Sequence, residues 1–326
     1  MPETALFHHN RADKSAGPTA EACPAADFSP AGWADFAPYY QICPAIGGVP
    51  FLFNIPHSGR LYPQNFMAQT RLDRRTVRAS EDRYVDLLFA DAPACGAVFM
   101  AARFPRAAVD VNRHAFALDS AMFSGADKAL LARLPREADQ RYLRAGFGAI
   151  ARNAAAGLPL YRHKLPFSEA LERLLRLYFP YHRALLGLLL QLRQKFGEAL
   201  LLDCHSMPGA ATGGGSPAEA PDIALGNCFG RACCPQLLDL ACRLLADMGY
   251  KVDCNYPYAG GHITAYYGRP ELNIQALQIE LNRDLYLNPQ TLEPNAGFAA
   301  LKADISRFSA RLIDLWQRQD CAAAAE

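Results

Sequence analysis

The sequence predicts an α/β fold: a single three-layer domain with a mixed central sheet flanked by helices. Three observations predict it. Short apolar runs of strand length alternate along the chain with longer stretches of helical periodicity. Two of these runs end in a His-Ser pair followed by turn formers: Val49-Pro50-Phe51-Leu52-Phe53-Asn54-Ile55-Pro56-His57-Ser58-Gly59 and Leu200-Leu201-Leu202-Asp203-Cys204-His205-Ser206-Met207-Pro208-Gly209. That pattern sets an imidazole at the carboxyl end of a buried strand, where open α/β sheets bind ligands. The 326 residues, 51% of them hydrophobic, are enough to bury a sizeable core.

Taken in order, residues 1–30 are rich in Ala, Pro, Ser and charge without periodicity, and are expected to be a disordered N-terminal tail. Residues 31–318 form the expected domain, and 319–326 fray at the C-terminus. The predicted strands are Val49–Ile55, Ala97–Ala102, Ala107–Val111, Ala199–Asp203, Asp222–Asn227, Lys251–Asn255 and Asn273–Leu281. The predicted helices are Glu81–Ala92, Lys128–Ala156, Ser168–Phe196, Pro235–Met248 and one within Phe298–Gln317. Ser168 with Glu169 and Glu172 suits the start of the third helix, and Pro180 should kink or split it. The run Ala210-Ala211-Thr212-Gly213-Gly214-Gly215-Ser216-Pro217 reads as a flexible loop directly after His205, either a lid or a plain connection.

Composition excludes several classes. A net charge of +1 offers no bulk field for nucleic acid or an anionic membrane, so a small-molecule substrate must be held by a few placed charges. No apolar run approaches the ~18 residues a membrane span needs. The ten cysteines form no paired C-x-x-C array, which argues against a structural zinc site. Residues Met1–His9 lack the basic and apolar regions of a secretory signal, so free, mostly buried thiols in a cytoplasmic protein are expected.

The chemistry gathers at a few positions. His57 and His205, at matching strand ends, suggest two ligands converging on one metal. A catalytic zinc takes a third protein ligand and leaves a position for water. Glu81 and Asp82 are nearby carboxylates, although capping of the helix they open explains them locally. Val109-Asp110-Val111-Asn112-Arg113 sets an amide beside a guanidinium, a combination suited to a carboxylate, with Arg103 and Arg106 upstream. Gly260-Gly261-His262 makes a tight turn where backbone can approach a ligand. Glu280 lies in an apolar strand pattern, where desolvation would raise its pKa towards that of a general base; an ion pair with Arg283 is the alternative. His182, inside a helix pattern, reads as structural. Cys204 would face away from His205 on the same strand, which argues against a thiol enzyme.

These segments together resemble the N-formylglutamate amidohydrolase (deformylase) family from about Val49 to Asn288. The resemblance rests on Pro56-His57-Ser58-Gly59, Glu81-Asp82-Arg83-Tyr84-Val85-Asp86, Arg106 with Asp110-Val111-Asn112-Arg113, Asp203-Cys204-His205-Ser206, Gly260-Gly261-His262-Ile263-Thr264 and Leu277-Gln278-Ile279-Glu280. The family is similar, distantly, to zinc carboxypeptidases, and the order of parts agrees. One part departs: three residues after His57, where that fold has a glutamate ligand, stands Arg60.

The resemblance implies zinc, or another divalent ion, held by His57, His205 and Asp82, with Glu81 as the alternative acid. It implies Glu280 as general base, Arg106 at the oxyanion, and Asn112 and Arg113 on a substrate carboxylate. Arg283 and Arg162 are candidates for a second carboxylate, and His262 for a mobile loop contact. The implied reaction is hydrolysis of N-formyl-L-glutamate to formate and glutamate, late in histidine breakdown. Another N-acyl amino acid, a short peptide, or a non-catalytic binding role on this fold are the alternatives. The oligomeric state is left open.

Overall fold

The computed structural model describes residues 30–44, 48–125, 140–155, 157–209 and 220–323. Its frame is a seven-stranded sheet: β1 (Tyr39–Ile42), β2 (Phe51–Ile55), β3 (Val98–Ala102), β4 (Ala199–Met207), β5 (Ile223–Gly226), β6 (Val252–Cys254) and β7 (Ile274–Asn282). They lie in the order β1-β3-β2-β4-β7-β5-β6. The inner strands β3, β2, β4 and β7 are parallel. β1 pairs antiparallel with β3, β5 antiparallel with β7, and β6 parallel with β5. The sheet is therefore mixed, as the sequence predicts.

Why the inner strands read as continuous apolar runs follows from their surroundings. Every residue of β2, β3 and β4 is buried, because helices cover both faces. Alternate residues enter opposite cores: Leu52 and Leu201 join one, Phe51, Phe53, Leu200 and Leu202 the other. The first core is closed by a helix Phe179–Phe196 (α3) through Tyr181, Leu185 and Leu189. The second is closed by Pro235–Asp247 (α4) and Phe298–Ala323 (α6). These are the three layers. The chain passes from β2 to β3 on one side and from β3 to β4 on the other side of β2, so the connections diverge beside the carboxyl ends of β2 and β4, the place where such sheets open a crevice.

Several predicted elements change. The segment Ala107–Val111 is a turn rather than a strand, closed by Ala108 N–H to Pro105 O and Asp110 N–H to Ala149 O. The helix expected from Glu81 is reduced to Val85–Leu88 (α1), because Tyr84 adopts a left-handed φ of 62° and separates Glu81-Asp82 from it. Of the helix expected over Lys128–Ala156, residues 126–139 and 156 lie outside the described residues. The remainder holds one helical turn, Gln140–Arg144, and a short strand, Asn153–Ala155. The third helix divides into Phe167–Arg173 (α2), a π-helical turn Leu174–Tyr178, and α3. Pro180 lies at the start of α3, and the widened turn before it absorbs the hydrogen bond proline cannot make. β1 and a short helix His262–Tyr267 (α5) were not anticipated. α6 continues to Ala323, beyond the point where fraying was expected. The predicted tail, apart from Pro30, and the Ala210–Pro217 loop lie outside the described residues.

The turn after β2 depends on Gly59. A Cβ at this position would overlap the Phe104 carbonyl, since the backbones of the two segments touch there. The neighbouring Leu61 N–H donates to Arg103 O (2.9 Å). Gly59→Ala is therefore expected to push the two segments apart and lower the melting temperature by several degrees, read by circular dichroism. An unchanged melting curve would show that the contact is dispensable.

Candidate active site

Backbone hydrogen bonds bring the first two functional groups together. His57 follows β2 directly, and the Asp82 amide donates to its carbonyl (3.0 Å). The Ser58 hydroxyl donates to the Asp82 carbonyl (2.7 Å) and accepts from the Asp86 amide (3.2 Å). Residues 82–86 are thereby strapped to the end of β2, with the Asp82 carboxylate against the His57 ring. The third group comes from β4. Register places His205 beside Glu280 of β7, and Asp203 beside Gln278, so all four side chains share one face. Cys204 belongs to the opposite core, as strand alternation requires.

Among the described residues, His57, Asp82 and His205 form the one group whose donor atoms converge as metal ligands do. Nδ1 of His57 and Nδ1 of His205 lie 3.2 and 3.1 Å from Asp82 Oδ2, and 3.1 Å from each other. Four-coordinate zinc with bonds of about 2.0–2.1 Å spaces its ligand atoms roughly 3.3 Å apart, so the triangle fits such an ion. The far ring nitrogens strengthen the case. His57 Nε2 is 2.8 Å from Asp110 Oδ1, and His205 Nε2 is 3.1 Å from Asp203 Oδ2. Each carboxylate takes its ring's N–H and leaves the Nδ1 lone pair facing inward. Two such lone pairs and a carboxylate oxygen repel one another unless a cation or a proton sits among them.

The supporting groups are themselves held. Asp203 Oδ1 accepts from Asn54 Nδ2 (2.9 Å), whose Oδ1 accepts from the Tyr181 hydroxyl (2.6 Å). Asp110 accepts from the Asn112 amide (2.8 Å) and from Arg106 Nη2 (2.8 Å). Asp82 Oδ1 accepts from Arg283 Nη2 (2.8 Å), with Arg106 Nη1 at 3.6 Å. Burial would raise Asp82, but the His205 and His57 rings against it and the charge of Arg106 hold it well below the ordinary carboxylate range. Burial likewise opposes ionisation of Asp110, and His57, Arg106 and Arg113 overcome it.

Glu280 is treated differently. It is only 8% exposed, and desolvation, reinforced by Asp82, pushes its carboxyl up to about 7 against the pull of His205, Arg106 and Arg283. Its hydrogen-bond partner is a neutral amide, Gln278 Nε2 donating to Oε1 at 2.8 Å. Gln278 Oε1 in turn accepts from the Gly261 amide (2.6 Å). The alternative of a Glu280–Arg283 ion pair is not what forms: Arg283 spends its guanidinium on Asp82 and on the Ser206 hydroxyl (3.0 Å). All these groups open onto a cavity of about 540 Å³, whose wall includes Arg113, Tyr142, Tyr258 and Gly260-Gly261.

A family model for N-formylglutamate amidohydrolase matches residues 49–287. The chain belongs to the N-formylglutamate amidohydrolase family. Two relatives are the N-formylglutamate deformylases of Pseudomonas aeruginosa, 31% identical over 82% of this chain and 91% of the relative, and of Pseudomonas putida, 29% identical over 74% and 83%. The crystal structure of an N-formylglutamate amidohydrolase from Ralstonia eutropha JMP134 superposes with a TM-score of 0.81 at 35% identity, covering 87% of this chain and all of that one.

Within this amidohydrolase, Asp82 rather than Glu81 reaches the histidines. Glu81 turns away to accept from the Tyr62 hydroxyl (2.6 Å) and from Arg78 (3.2 Å). Arg60, three residues after His57, pairs with Asp86 (2.6 Å). Asn112 touches His205 Nε2 (3.2 Å) and accepts from the Ile263 amide (2.8 Å); a Cβ on Gly261 would overlap it. Arg113 lies face-on to the Tyr142 ring (4.0 Å) and donates to Phe147 O and Asn112 O. Arg162 does not reach the cavity: its Nε donates to Thr70 O (2.8 Å). His262 also lies off the cavity wall, packed among Tyr266, His114 and His182. His182 is structural, bridging the Tyr267 hydroxyl (2.8 Å) and Val111 O (3.0 Å).

The sequence reading missed Asp110, Asp203 and Gln278 as site residues. Strand alternation carried the signal for two of them: Asp203 is two residues before His205, and Gln278 two before Glu280.

Asp203→Asn should fold normally yet bind zinc roughly 10–100-fold more weakly, because the His205 tautomer loses its anchor. Chelator competition measures this, and unaltered affinity would remove Asp203 from that role. Burial holds His182 at about 4, below its ordinary 6.5, so the unfolded chain takes up that proton first. Fold stability is thus expected to fall as pH drops from 6.5 towards 4, and His182→Gln should flatten that part of a denaturation-versus-pH curve.

Proposed function

We propose that this protein hydrolyses the amide of an N-acyl amino acid, with N-formyl-L-glutamate, giving formate and L-glutamate, as the leading substrate. The observation that carries the reading is the triangle of His57 Nδ1, His205 Nδ1 and Asp82 Oδ2 beside a carboxyl, Glu280, whose pKa is pushed up to about 7. The names of the curated relatives support the substrate. His57, Asp82 and His205 would hold a zinc ion, which when bound polarises the formyl carbonyl and makes water more acidic.

The chain's own groups do the rest. Glu280 takes the proton of the attacking water and delivers it to the departing amine nitrogen, so that water is divided between formate and glutamate. Gln278 holds the Glu280 carboxylate in one rotamer through its amide N–H. Arg106, fixed by Asp110, stands in the wall as a preorganised positive donor for the oxyanion. Arg113 is braced by two backbone carbonyls rather than by a carboxylate among the described residues, and with Asn112 it serves the substrate carboxylate. Arg283 is tied to Asp82 and Ser206, so it orients the metal ligand while its charge favours an anionic substrate.

Residues 31–318 constitute the catalytic unit. The eight described cysteines are free thiols, which suits a cytoplasmic enzyme; a role late in histidine breakdown goes with the proposed substrate. No helix among the described residues is long and apolar enough to cross a membrane.

Formate release from N-formyl-L-glutamate should vanish on chelation and return with zinc; full activity in metal-free protein would sink the reading. Glu280→Gln should retain stoichiometric metal and lose about 10²–10⁴-fold in kcat. Arg113→Ala should raise KM roughly 10–100-fold with kcat little changed, as expected for one lost charge-assisted contact.

A further inference from the structure

Away from the cavity centre, two cysteines come unusually close. Cys242 lies on α4, and Cys254 is the last residue of β6. Their Sγ atoms are 2.7 Å apart, inside ordinary non-bonded contact and about 0.7 Å from the bonded S–S length of ~2.05 Å. Among the described residues no other pair of cysteine sulfurs makes such a contact. Cys254 is exposed and Cys242 half-buried, beside an open depression lined by Gln236, Asp239 and Arg243.

The location gives the pair a mechanical consequence. β6 is a three-residue edge strand held to the sheet by one ladder, to β5. The chain leaving it is the cavity rim. Asn255, the next residue, adopts a left-handed φ of 60°, and its Oδ1 accepts from the Asn227 and Phe229 amides. Asn255, Pro257, Tyr258, Gly260 and Gly261 all line the cavity, and the last bonds Gln278. A short edge strand with one neighbour is a weak anchor for such a wall.

We propose that Cys242 and Cys254 are a reversible oxidation site, at which a hydroperoxide joins the two thiols into a disulfide that staples β6, and the rim beginning at Asn255, to α4. The Cys254 thiolate attacks the peroxide, breaking the O–O bond and giving a sulfenic acid with release of water or alcohol. Cys242 sulfur then displaces the sulfenic oxygen, which leaves as water and takes up the Cys242 proton. One S–S bond forms, and the two electrons lost by the thiols reduce the peroxide. Cys254 acts first because it is exposed; burial and the contact with Cys254 raise the Cys242 thiol well above its ordinary value. Closure spans a separation of only 12 residues and needs little movement, so the folded shape is kept while rim opening is restrained.

The test uses the full-length, metal-loaded protein exposed to hydrogen peroxide, then alkylated and digested without reductant. The expected product is a Cys242–Cys254 linked peptide that disappears with dithiothreitol. The melting temperature should rise by several degrees on oxidation, and amide exchange over Asn255–Gly261 should slow about tenfold. Both changes should be absent in Cys254→Ser, whose exposed site tolerates serine, whereas Cys242→Ser should let dimedone trap a sulfenic acid at Cys254. The proposal is overturned if Cys242 and Cys254 stay alkylatable after oxidation, or are linked instead to other cysteines. It is equally overturned if Cys254→Ser shows the same melting shift.

Discussion

Four carboxylates buried around one cavity set the terms for the rest of the site. Asp82, Asp110, Asp203 and Glu280 are each less than a tenth exposed, and an uncompensated charge there costs several kcal/mol. Three are compensated by charge or by an imidazole N–H: Asp82 by Arg283 and Arg106, Asp110 by Arg106 and His57, Asp203 by His205 and Asn54. Glu280 receives only a neutral amide at hydrogen-bond distance. The same burial that obliges three carboxylates to find partners turns the fourth into a group that binds a proton near neutrality. One physical effect thus assigns two different roles.

Charge balance around the cavity points the same way. Three carboxylates, Asp82, Asp110 and Glu280, and three guanidinium groups, Arg106, Arg113 and Arg283, line the cavity. A dication among His57, Asp82 and His205 would make the site net positive and attractive to an anionic substrate. The groups behind the histidines suit them to such an ion, because Asp110 and Asp203 take the Nε2 protons and leave both Nδ1 atoms turned inward. The Tyr181–Asn54–Asp203 chain runs from α3 through β2 into β4, so a ligand atom is positioned by three elements at once.

The two sides of the site are built differently. Its floor is built from the all-buried strands β2 and β4 and from β7, and from a turn that tolerates no side chain at Gly59. Its rim, Asn255 to Gly261, descends from the short edge strand β6. Between them, the amide of Gln278 links Gly261 to Glu280, so the rim is bonded to the buried carboxyl.

Local sequence determined the inner strands, the two terminal histidines and the buried Glu280, because an all-buried strand demands an unbroken apolar run and a functional residue interrupts it visibly. Short motifs in the right order determined the family. Local pattern left open which acid joins the histidines; the family resemblance favoured Asp82, and the tertiary structure shows why. Glu81 and Asp82 are equivalent in sequence, and the left-handed Tyr84 together with the Ser58 and His57 hydrogen bonds turns Asp82 inward. It also decided the fates of the arginines. Arg162 is drawn to Thr70 O and Arg283 to Asp82, contacts spanning 92 and 201 residues that no local pattern can encode. Strand and turn were likewise confused at Ala107–Val111, whose apolar residues are buried by packing against neighbours rather than by a ladder. Periodicity records that a residue is buried; only the folded chain specifies its partner.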